Sequence, residues 1–307
     1  MRRPTPLITA LTACLLLAAC GSERAGTQDG GPGAAGPPPR TQVTDPGIDG
    51  VRVIAVTIPS PSPSPSRSFS VTADSLPTDS GVFAAYEVVN HGTEAMTYTV
   101  LFDFTTSAGE VMSNKRETVR AVGPGRTVRG TVRLGVPAPG ASPVTQVKVS
   151  EVTKVPADEA PAEAGECPAS GIRVTADEGD AAMGLRVVGL HLENCGKRDY
   201  SVNGYPLLEL LDEDREPVEG VRILQGSGDI TTAAGPDEAP RPVTLKPGES
   251  ATAGLVWRNT TGFGTAVDVP YVRIRAKAGA DPVTVTPRLD LGTTGKLGVR
   301  PWKRAEG

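Results

Sequence analysis

Short segments of alternating apolar and polar residues, separated by turn-forming residues, limit the fold of this chain more than any other sequence feature. The clearest runs from Met96 to Phe104, where Met96, Tyr98, Val100, Phe102 and Phe104 alternate with Thr97, Thr99, Leu101 and Asp103. A period of two is that of a β-strand with one buried face. No segment carries a convincing helical stripe, and the 36 Gly and 29 Pro residues favour short strands joined by turns. The sequence therefore predicts an all-β fold.

Residues 48–155 are predicted to form a first antiparallel β-sandwich. Turn signals such as Asn90-His91-Gly92 and Gly123-Pro124-Gly125 separate its strands. These strands are expected at 51–58, 82–89, 96–104, 117–122, 126–134 and 146–152. The segment from Tyr86 to His91, followed by the strand to Phe104 and the Gly-Pro-Gly turn, resembles small immunoglobulin- or fibronectin-like extracellular sandwiches. The resemblance implies an immunoglobulin-like sandwich.

Residues 167–302 are predicted to form a second sandwich in tandem with the first. Turn signals again punctuate the chain, at Asn203-Gly204 and at Lys246-Pro247-Gly248-Glu249. The strands are expected at 171–176, 185–193, 205–211, 218–224, 241–245, 251–258, 271–277 and 283–291. An acidic, Pro- and Ala-rich linker at 156–166 precedes this domain. Residues 303–307 are expected to be a tail. The charged residues Lys296 and Arg300 just before it are expected to be solvated as well.

The amino terminus has the three parts of an export signal. Arg2 and Arg3 precede an apolar run at residues 7–17, which is too short to span a bilayer as a helix. Leu17-Ala18-Ala19-Cys20 then resembles the lipobox of bacterial lipoproteins. The resemblance implies that residues 1–19 are removed, that Cys20 is lipidated, and that the protein is anchored on the extracytoplasmic face of the cell membrane. The alternative is a soluble secreted protein.

Two segments are too rich in Gly, Pro and Ser to form a core. Residues 20–47 are predicted to be a tether between the lipid and the first sandwich. The alternating Pro-Ser repeat at 59–66 cannot join a strand ladder, because proline has no amide hydrogen. We expect an exposed loop there, with an interaction motif as the alternative.

Cysteine usage favours one disulfide. The chain has 4 cysteines. Cys14 would be removed with the signal and Cys20 would carry the lipid, so Cys167 and Cys195 remain. Two thiols in an oxidising compartment favour a disulfide, and a metal or redox pair is the alternative. Closure of a loop of about 27 residues would stabilise the fold by roughly 3 to 4 kcal/mol in the chain-entropy model.

A series of short motifs in the second half resembles a domain of unknown function common in actinobacterial lipoproteins. In order they are Ala181-Ala182-Met183-Gly184, Leu192-Glu193-Asn194-Cys195, Asn203-Gly204-Tyr205-Pro206, and Leu245-Lys246-Pro247-Gly248-Glu249-Ser250-Ala251. The resemblance covers Cys167 to about Trp302 and implies fold and location, with no established activity. The chain departs from many members at Cys195, because they carry the second cysteine nearer the Gly-Tyr-Pro, where this chain has Tyr200.

Catalytic and metal motifs are not apparent. The chain has 2 histidines, of which His91 falls in a turn signal and His191 on the outward face of a strand. No nucleophile elbow, zinc-protease or phosphate-loop motif occurs. The cluster of Asp212, Glu213, Asp214 and Glu216 has Ca²⁺-like spacing, but Pro217 and the short ligand set favour a charged hairpin turn. We therefore expect neither a metal nor a cofactor.

Arginines provide the one candidate ligand surface. If Val119, Val128 and Val132 point inward, four arginines share the outer face of two adjacent strands: Arg116, Arg120, Arg129 and Arg133. Such a face is suited to anionic wall polymers or lipid headgroups. The alternative is a solvated face whose arginines protect an edge strand.

The expected function is that of a non-enzymatic binding or structural module of the cell envelope. Its partner would be a cell-wall polymer or an envelope protein, and a net charge of −4 gives no support for nucleic acid. The alternative is a hydrolase of wall or nutrient polymers that uses carboxylates the sequence does not identify. A solute-capturing receptor fits less well, because such receptors are usually α/β.

Overall fold

The computed structural model describes residues 40–43, 46–59, 80–138, 140–232 and 238–305. These residues form strands and turns without a helix, and several antiparallel sheets arise from them, which confirms the predicted all-β fold. No helix that could cross a membrane occurs within these ranges. The lipobox with Cys20 and most of the Pro-Ser repeat lie outside the described residues.

The first sandwich pairs a four-stranded sheet, in the order β1-β2-β3-β6, with a three-stranded sheet, in the order β5-β4-β7. Its strands are β1 (Arg40–Gln42), β2 (Val51–Thr57), β3 (Phe83–Val89), β4 (Met96–Thr105), β5 (Val111–Val122), β6 (Thr127–Arg133) and β7 (Gln146–Pro156). Strand β1 lies within the segment predicted to be a tether. It pairs with β2, so the ordered sheet begins before residue 48.

The apolar face predicted for β4 forms the centre of the first core. Val100, Phe102 and Phe104 are fully buried, and the Phe102 ring lies 4.8 Å from that of Tyr86 on the facing sheet. Tyr86 also covers Gly130 on the neighbouring strand, where a Cβ atom would lie 2.4 Å from the tyrosine ring. The two sheets are therefore joined by side chains from the alternating positions that the sequence singles out.

The second sandwich is built around a six-stranded sheet in the order β13-β20-β15-β10-β8, with β9 paired to β10. A three-stranded sheet in the order β12-β17-β18 and two short pairs, β11-β14 and β16-β19, complete it. The first part of the domain contains β8 (Ile172–Ala176), β9 (Asp180–Ala182), β10 (Leu185–Asn194), β11 (Tyr200–Val202), β12 (Leu207–Leu211) and β13 (Arg222–Gln225). The rest contains β14 (Val243–Leu245), β15 (Ser250–Arg258), β16 (Asp268–Val269), β17 (Tyr271–Arg275), β18 (Val283–Val285), β19 (Leu289–Asp290) and β20 (Lys296–Arg304).

Strand β20 corrects the prediction of a solvated carboxyl-terminal end. It pairs antiparallel with β15 and parallel with β13, and so lies inside the sheet. Leu297, Val299 and Trp302 are buried in the second core, and the Trp302 Nε1 donates to the Ala276 carbonyl at 3.0 Å. The charges that suggested a tail occupy the other positions of a strand whose apolar residues complete the core.

A buried asparagine ends the corresponding strand of each sandwich. In the first, the Asn90 side chain donates to the carbonyls of Glu94 and Val122, both at 2.7 Å, and accepts from the Gly92 amide. Its backbone pairs with Gly125 and Arg126, which follow Pro124 in the turn before β6. The asparagine thus joins the end of β3 to the turn that begins β6.

Asn194 makes the same set of bonds in the second sandwich. Its side chain donates to the carbonyls of Arg198 and Leu245 and accepts from the Gly196 amide. Its backbone pairs with Gly248 and Glu249, in the turn that precedes β15. The matching bonds make β3 equivalent to β10 and β6 equivalent to β15.

The acidic linker is bound to the second sandwich. The Glu159 carboxylate pairs with Arg273 at 2.9 Å and accepts from the Thr284 hydroxyl at 2.6 Å, while its carbonyl accepts from the Thr284 amide. A small apolar cluster of Val155, Leu211 and Tyr271 lies at the end of β7. These contacts set β18 and the linker beside the outer face of the first sandwich.

Candidate binding cleft

The structure separates the predicted arginine face into two parts. Arg116 and Arg120 belong to β5, which pairs with β4, whereas Arg129 and Arg133 belong to β6, which pairs with β3 in the other sheet. The prediction of one face on two adjacent strands is therefore wrong. Val128 does face the first core, opposite Val88, but it is 38% exposed because β6 lies at the edge of its sheet in the described residues.

The arginines of β6 contact groups of their own sheet. Arg129 lies 3.5 Å from the Glu87 carboxylate, which Arg52 also contacts at 2.6 Å from the next strand. The register places these residues directly opposite one another across β2, β3 and β6. Arg133 lies over the Phe83 ring at 5.0 Å. A cross-strand charge row and a cation–π contact thus account for their positions.

Arg116 and Arg120 instead line a cleft of about 600 Å³ between the outer face of the three-stranded sheet and the second sandwich. Threonines dominate its lining: Thr97, Thr99, Thr118 and Thr153 from the first sandwich, and Thr175, Thr284 and Thr286 from the second. Thr97, Thr153 and Thr284 are buried, and their hydroxyls bond to groups of the protein. The other four threonines are partly or fully exposed, and each of their hydroxyls can both donate and accept a hydrogen bond. The cleft is therefore suited to a ligand that carries many hydroxyl or oxyanion groups.

A row of threonines crosses the floor of the cleft. Thr99 on β4 lies opposite Thr118 on β5 and Thr153 on β7. Thr153 is buried although it faces away from the first core, because the second sandwich and the linker cover this end of the sheet. Its hydroxyl donates to the Thr99 carbonyl at 3.5 Å. The alternation of β4 sets these hydroxyls on one surface.

Two half-exposed arginines contribute positive charge to the cleft, one from each sandwich. Arg116 lies 3.9 Å from Glu178, and Arg288 lies 3.0 Å from Glu151; the arginine side chains are 60% and 58% exposed. Exposed ion pairs of this kind contribute about 0 to 1 kcal/mol, so an anionic ligand can compete for both guanidinium groups. Arg288 has a φ of 50°, a conformation that non-glycine residues adopt rarely.

Arg120 has a structural contact with the linker. Its Nε donates to Glu163 at 2.6 Å and its Nη1 to the Pro161 carbonyl at 2.9 Å. These bonds hold the linker against β5 at the edge of the cleft. Arg120 therefore shapes the site, while Arg116 and Arg288 carry the more accessible charges.

The acidic residues of the cleft differ in how their oxygens are used. The Asp177 carboxylate accepts from the amides of Gly179 and Gly189 at 2.9 and 2.8 Å and lies 3.3 Å from His191 Nε2. It therefore holds the end of β8 against β10, and His191 takes the exposed outward position predicted for it. Glu178 is 94% exposed and contacts Arg116 alone among the described ion pairs.

The acidic cluster at 212–216 forms the hairpin turn that the sequence favours. One oxygen of Asp212 accepts from the amides of Asp214 and Glu216, both at 2.9 Å. Arg215 has a φ of 66° and pairs with Glu94 at 2.6 Å. Within the described part of the chain, no group of acidic, histidine or cysteine side chains has the arrangement of a metal site.

The predicted disulfide is confirmed. Cys167 and Cys195 are bonded, with their Cα atoms 5.7 Å apart and a sequence separation of 28. The bond joins the segment before β8 to the loop after β10. It lies beside the Asn194 corner and supports the second sandwich.

Comparison with protein families matches residues 167–303 to a domain of unknown function, DUF4232. This match confirms the resemblance to a domain of unknown function in the second half of the chain. No curated protein matches the sequence.

Sequence reasoning identified Arg116 and missed its counterparts in the cleft. Arg288 follows β18 in a loop and shows no periodicity that would mark it. The signal for the floor was present in β4, where Thr97 and Thr99 occupy the face opposite the apolar residues. That face could be recognised as outward, but only the second sandwich makes it one side of a cleft.

Proposed function

We propose that the protein is a lipid-anchored, extracytoplasmic lipoprotein that binds an anionic, hydroxyl-rich polymer of the cell envelope in the cleft, without catalysis. The observation that carries the proposal is the threonine-lined cleft of about 600 Å³ with Arg116 and Arg288 contributed by different sandwiches. Sugar hydroxyls match the threonine hydroxyls, and phosphate or carboxylate oxygens match the guanidinium groups.

The distribution of charge supports an extended polymer over a compact ligand. The cleft is open, and its arginines are half exposed at separate positions of its lining. Repeating anionic groups could contact both arginines while the intervening sugars lie along the threonine row. Teichoic acids and acidic wall glycans have this chemistry.

A binding role is also favoured by the carboxylates of the cleft. Glycoside hydrolysis uses two carboxyl groups that flank the scissile bond. In the cleft, Asp177 already accepts hydrogen bonds from backbone amides, and Glu178 is the next residue in sequence. These two carboxylates therefore do not form such a flanking pair. We therefore propose binding over the hydrolytic alternative.

Thermal unfolding of the full-length protein against a panel of ligands tests the proposal. The panel contains teichoic acids, acidic and neutral wall glycans, anionic lipid vesicles and Ca²⁺. A ligand at a hundred times its dissociation constant adds about 2.7 kcal/mol, which raises the midpoint by a few degrees. We expect a rise with the anionic polymers and none with neutral glycans. A rise with neutral glycans alone, or with none of the panel, would overturn the proposal.

A further inference from the structure

Within the described residues, the four-stranded sheet of the first sandwich ends in a strand, β6, with one side unpaired. In the described residues β6 pairs with β3 alone, and the Leu134 amide donates to Val82 on that side. Because successive backbone amides of a strand point to opposite sides, the amides of Thr127, Arg129 and Thr131 point away from β3. All three residues are exposed, and no hydrogen bond to their amides occurs in the described structure. An edge of this kind can accept another strand.

The second sandwich shows what covers the equivalent edge. The matched corners at Asn90 and Asn194 place Thr127, Arg129 and Thr131 in register with Ser250, Thr252 and Gly254 of β15. In β15 these positions face β20, which pairs with Thr252 through Lys303 and with Gly254 through Arg300. The last strand of the first sandwich is β7, which belongs to the three-stranded sheet. The described residues of the first sandwich therefore contain no strand that corresponds to β20.

An apolar residue of the first core is left open at this edge. Val128 lies opposite Val88 and faces the core, yet it is 38% exposed. Ala251, its equivalent on β15, lies opposite Leu192 and is fully buried beside β20. A strand added to β6 would cover Val128 as β20 covers Ala251.

The charge of the edge selects the occupant. Arg126 and Arg129 are exposed on or beside β6, and the Arg129 side chain is 75% exposed despite its contact with Glu87. A second copy paired antiparallel through β6 would bring Arg129 of both copies onto the same sheet face, which is unfavourable. A strand with acidic residues on its outward face would instead neutralise Arg129.

We propose that the β6 edge, formed by the outward amides of Thr127, Arg129 and Thr131, is a docking site for an extended acidic strand of a partner protein. The strand would pair with β6 as β20 pairs with β15. Its apolar positions would cover Val128, and its acidic positions, on the opposite face, would lie beside Arg129. The site is separate from the cleft and does not depend on the cleft binding a polymer.

The test titrates full-length protein with a synthetic peptide that alternates Glu and Val, followed by fluorescence anisotropy. The matched peptides replace Glu with Lys or methylate the backbone nitrogens of alternate residues. Thr131→Pro removes an outward amide without breaking the ladder to β3, and Thr131→Val keeps that amide. We expect the Glu peptide to bind, and Thr131→Pro to weaken binding about tenfold or more while Thr131→Val does not.

Hydrogen exchange resolves the same question at the amides themselves. The amides of Thr127, Arg129 and Thr131 should exchange rapidly in the protein alone and slowly with the Glu peptide. Protection without peptide would show that the edge is already covered by the protein's own chain or by a second copy, and would overturn the proposal. Equal binding of the Glu and Lys peptides, or of the N-methylated peptide, would also overturn it. The N-methylated peptide keeps the test independent of any effect of Thr131→Pro on folding.

Discussion

Asn90 and Asn194 show how single polar residues define both sandwiches. Each is about 1% exposed, and each satisfies two carbonyls and one amide with one side chain. A buried amide group without these partners would be unfavourable, so the surrounding backbone and the asparagine specify each other. The sequence marks Asn90 only as part of a turn signal and Asn194 only as part of a motif that carries the family resemblance. Their burial could not be predicted because it depends on the turn before β6 or β15, which is distant along the chain.

We expect Asn194→Ala to lower the free energy of unfolding by roughly 3 kcal/mol, because the carbonyls of Arg198 and Leu245 and the Gly196 amide lose their partner. Urea denaturation measures the change. Asn203→Ala, at an exposed position of a turn, is the matched control and should change stability by less than about 0.5 kcal/mol. Equal effects of the two substitutions would contradict the structural role of Asn194.

Glu87 should make stability dependent on acid. The hydrogen bond from Arg52 is the main cause that lowers the pKa of Glu87 below its usual value of 4.5, and Arg129 acts in the same direction. A lowered carboxyl pKa gives stability that is present above the unfolded-state pKa and is lost as the pH falls through the folded-state pKa. Glu87→Gln should therefore be less stable than wild type at pH 7, by roughly 1 kcal/mol, and the two should converge in acid.

Urea denaturation of wild type and Glu87→Gln, at pH 7 and at acidic pH, measures the difference in the free energy of unfolding. Glu110→Gln removes an exposed carboxylate and is the control, which should follow the wild-type curve. If the difference between wild type and Glu87→Gln does not shrink in acid, the charge row across β2, β3 and β6 does not stabilise the sheet.

At the level of elements, strands with a clean alternation were predicted well and the irregular ones were missed. Strand β4 spans nearly the range expected, because its apolar face is continuous. Strand β20 reads Lys296-Leu297-Gly298-Val299-Arg300-Pro301-Trp302, in which a glycine, a proline and a shift in register interrupt the period. Its place in the sheet depends on its neighbours β15 and β13, which local patterning cannot indicate.

Trp302→Ala should lower the free energy of unfolding by about 3 to 5 kcal/mol, because it opens a cavity in the second core and leaves the Ala276 carbonyl unpaired. Thermal and urea unfolding measure the loss. Lys303→Ala, at the next and exposed position, should be within about 0.5 kcal/mol of wild type. A small effect of Trp302→Ala would mean that the end of the chain is not part of the core, as the sequence alone suggests.

At the level of the whole molecule, the cleft arises from contacts that no segment contains by itself. The linker holds β18 through Glu159 and holds β5 through Arg120. The outward threonines of β4 were predictable from alternation, whereas Arg288 and Glu178 reach them only because the linker is bound on both sides. Arg116 and Arg129 are likewise separated by the three-dimensional arrangement of strands. The strands that carry them, β5 and β6, are consecutive in sequence but belong to different sheets.

Anchoring through Cys20 is a separate prediction for the whole protein. Cys20→Ala should move the protein from the membrane fraction to the soluble fraction of the producing cells, because a stable anchor requires the acyl chains. Immunoblotting of the two fractions measures the change. Cys14→Ala, within the predicted signal, is the control and should remain with the membrane. If Cys20→Ala also remains there, the protein is not anchored as a lipoprotein.

The affinity of the cleft for an anionic wall polymer tests the central proposal most directly. Isothermal titration of a teichoic acid fragment into wild type, Arg116→Ala, Arg288→Ala and Arg222→Ala would compare two arginines of the cleft with an exposed arginine on β13. The proposal predicts that each cleft substitution weakens binding by about tenfold, or about 1.4 kcal/mol, while Arg222→Ala binds as wild type does. Equal affinities for all four proteins, or an equal loss with Arg222→Ala, would contradict it.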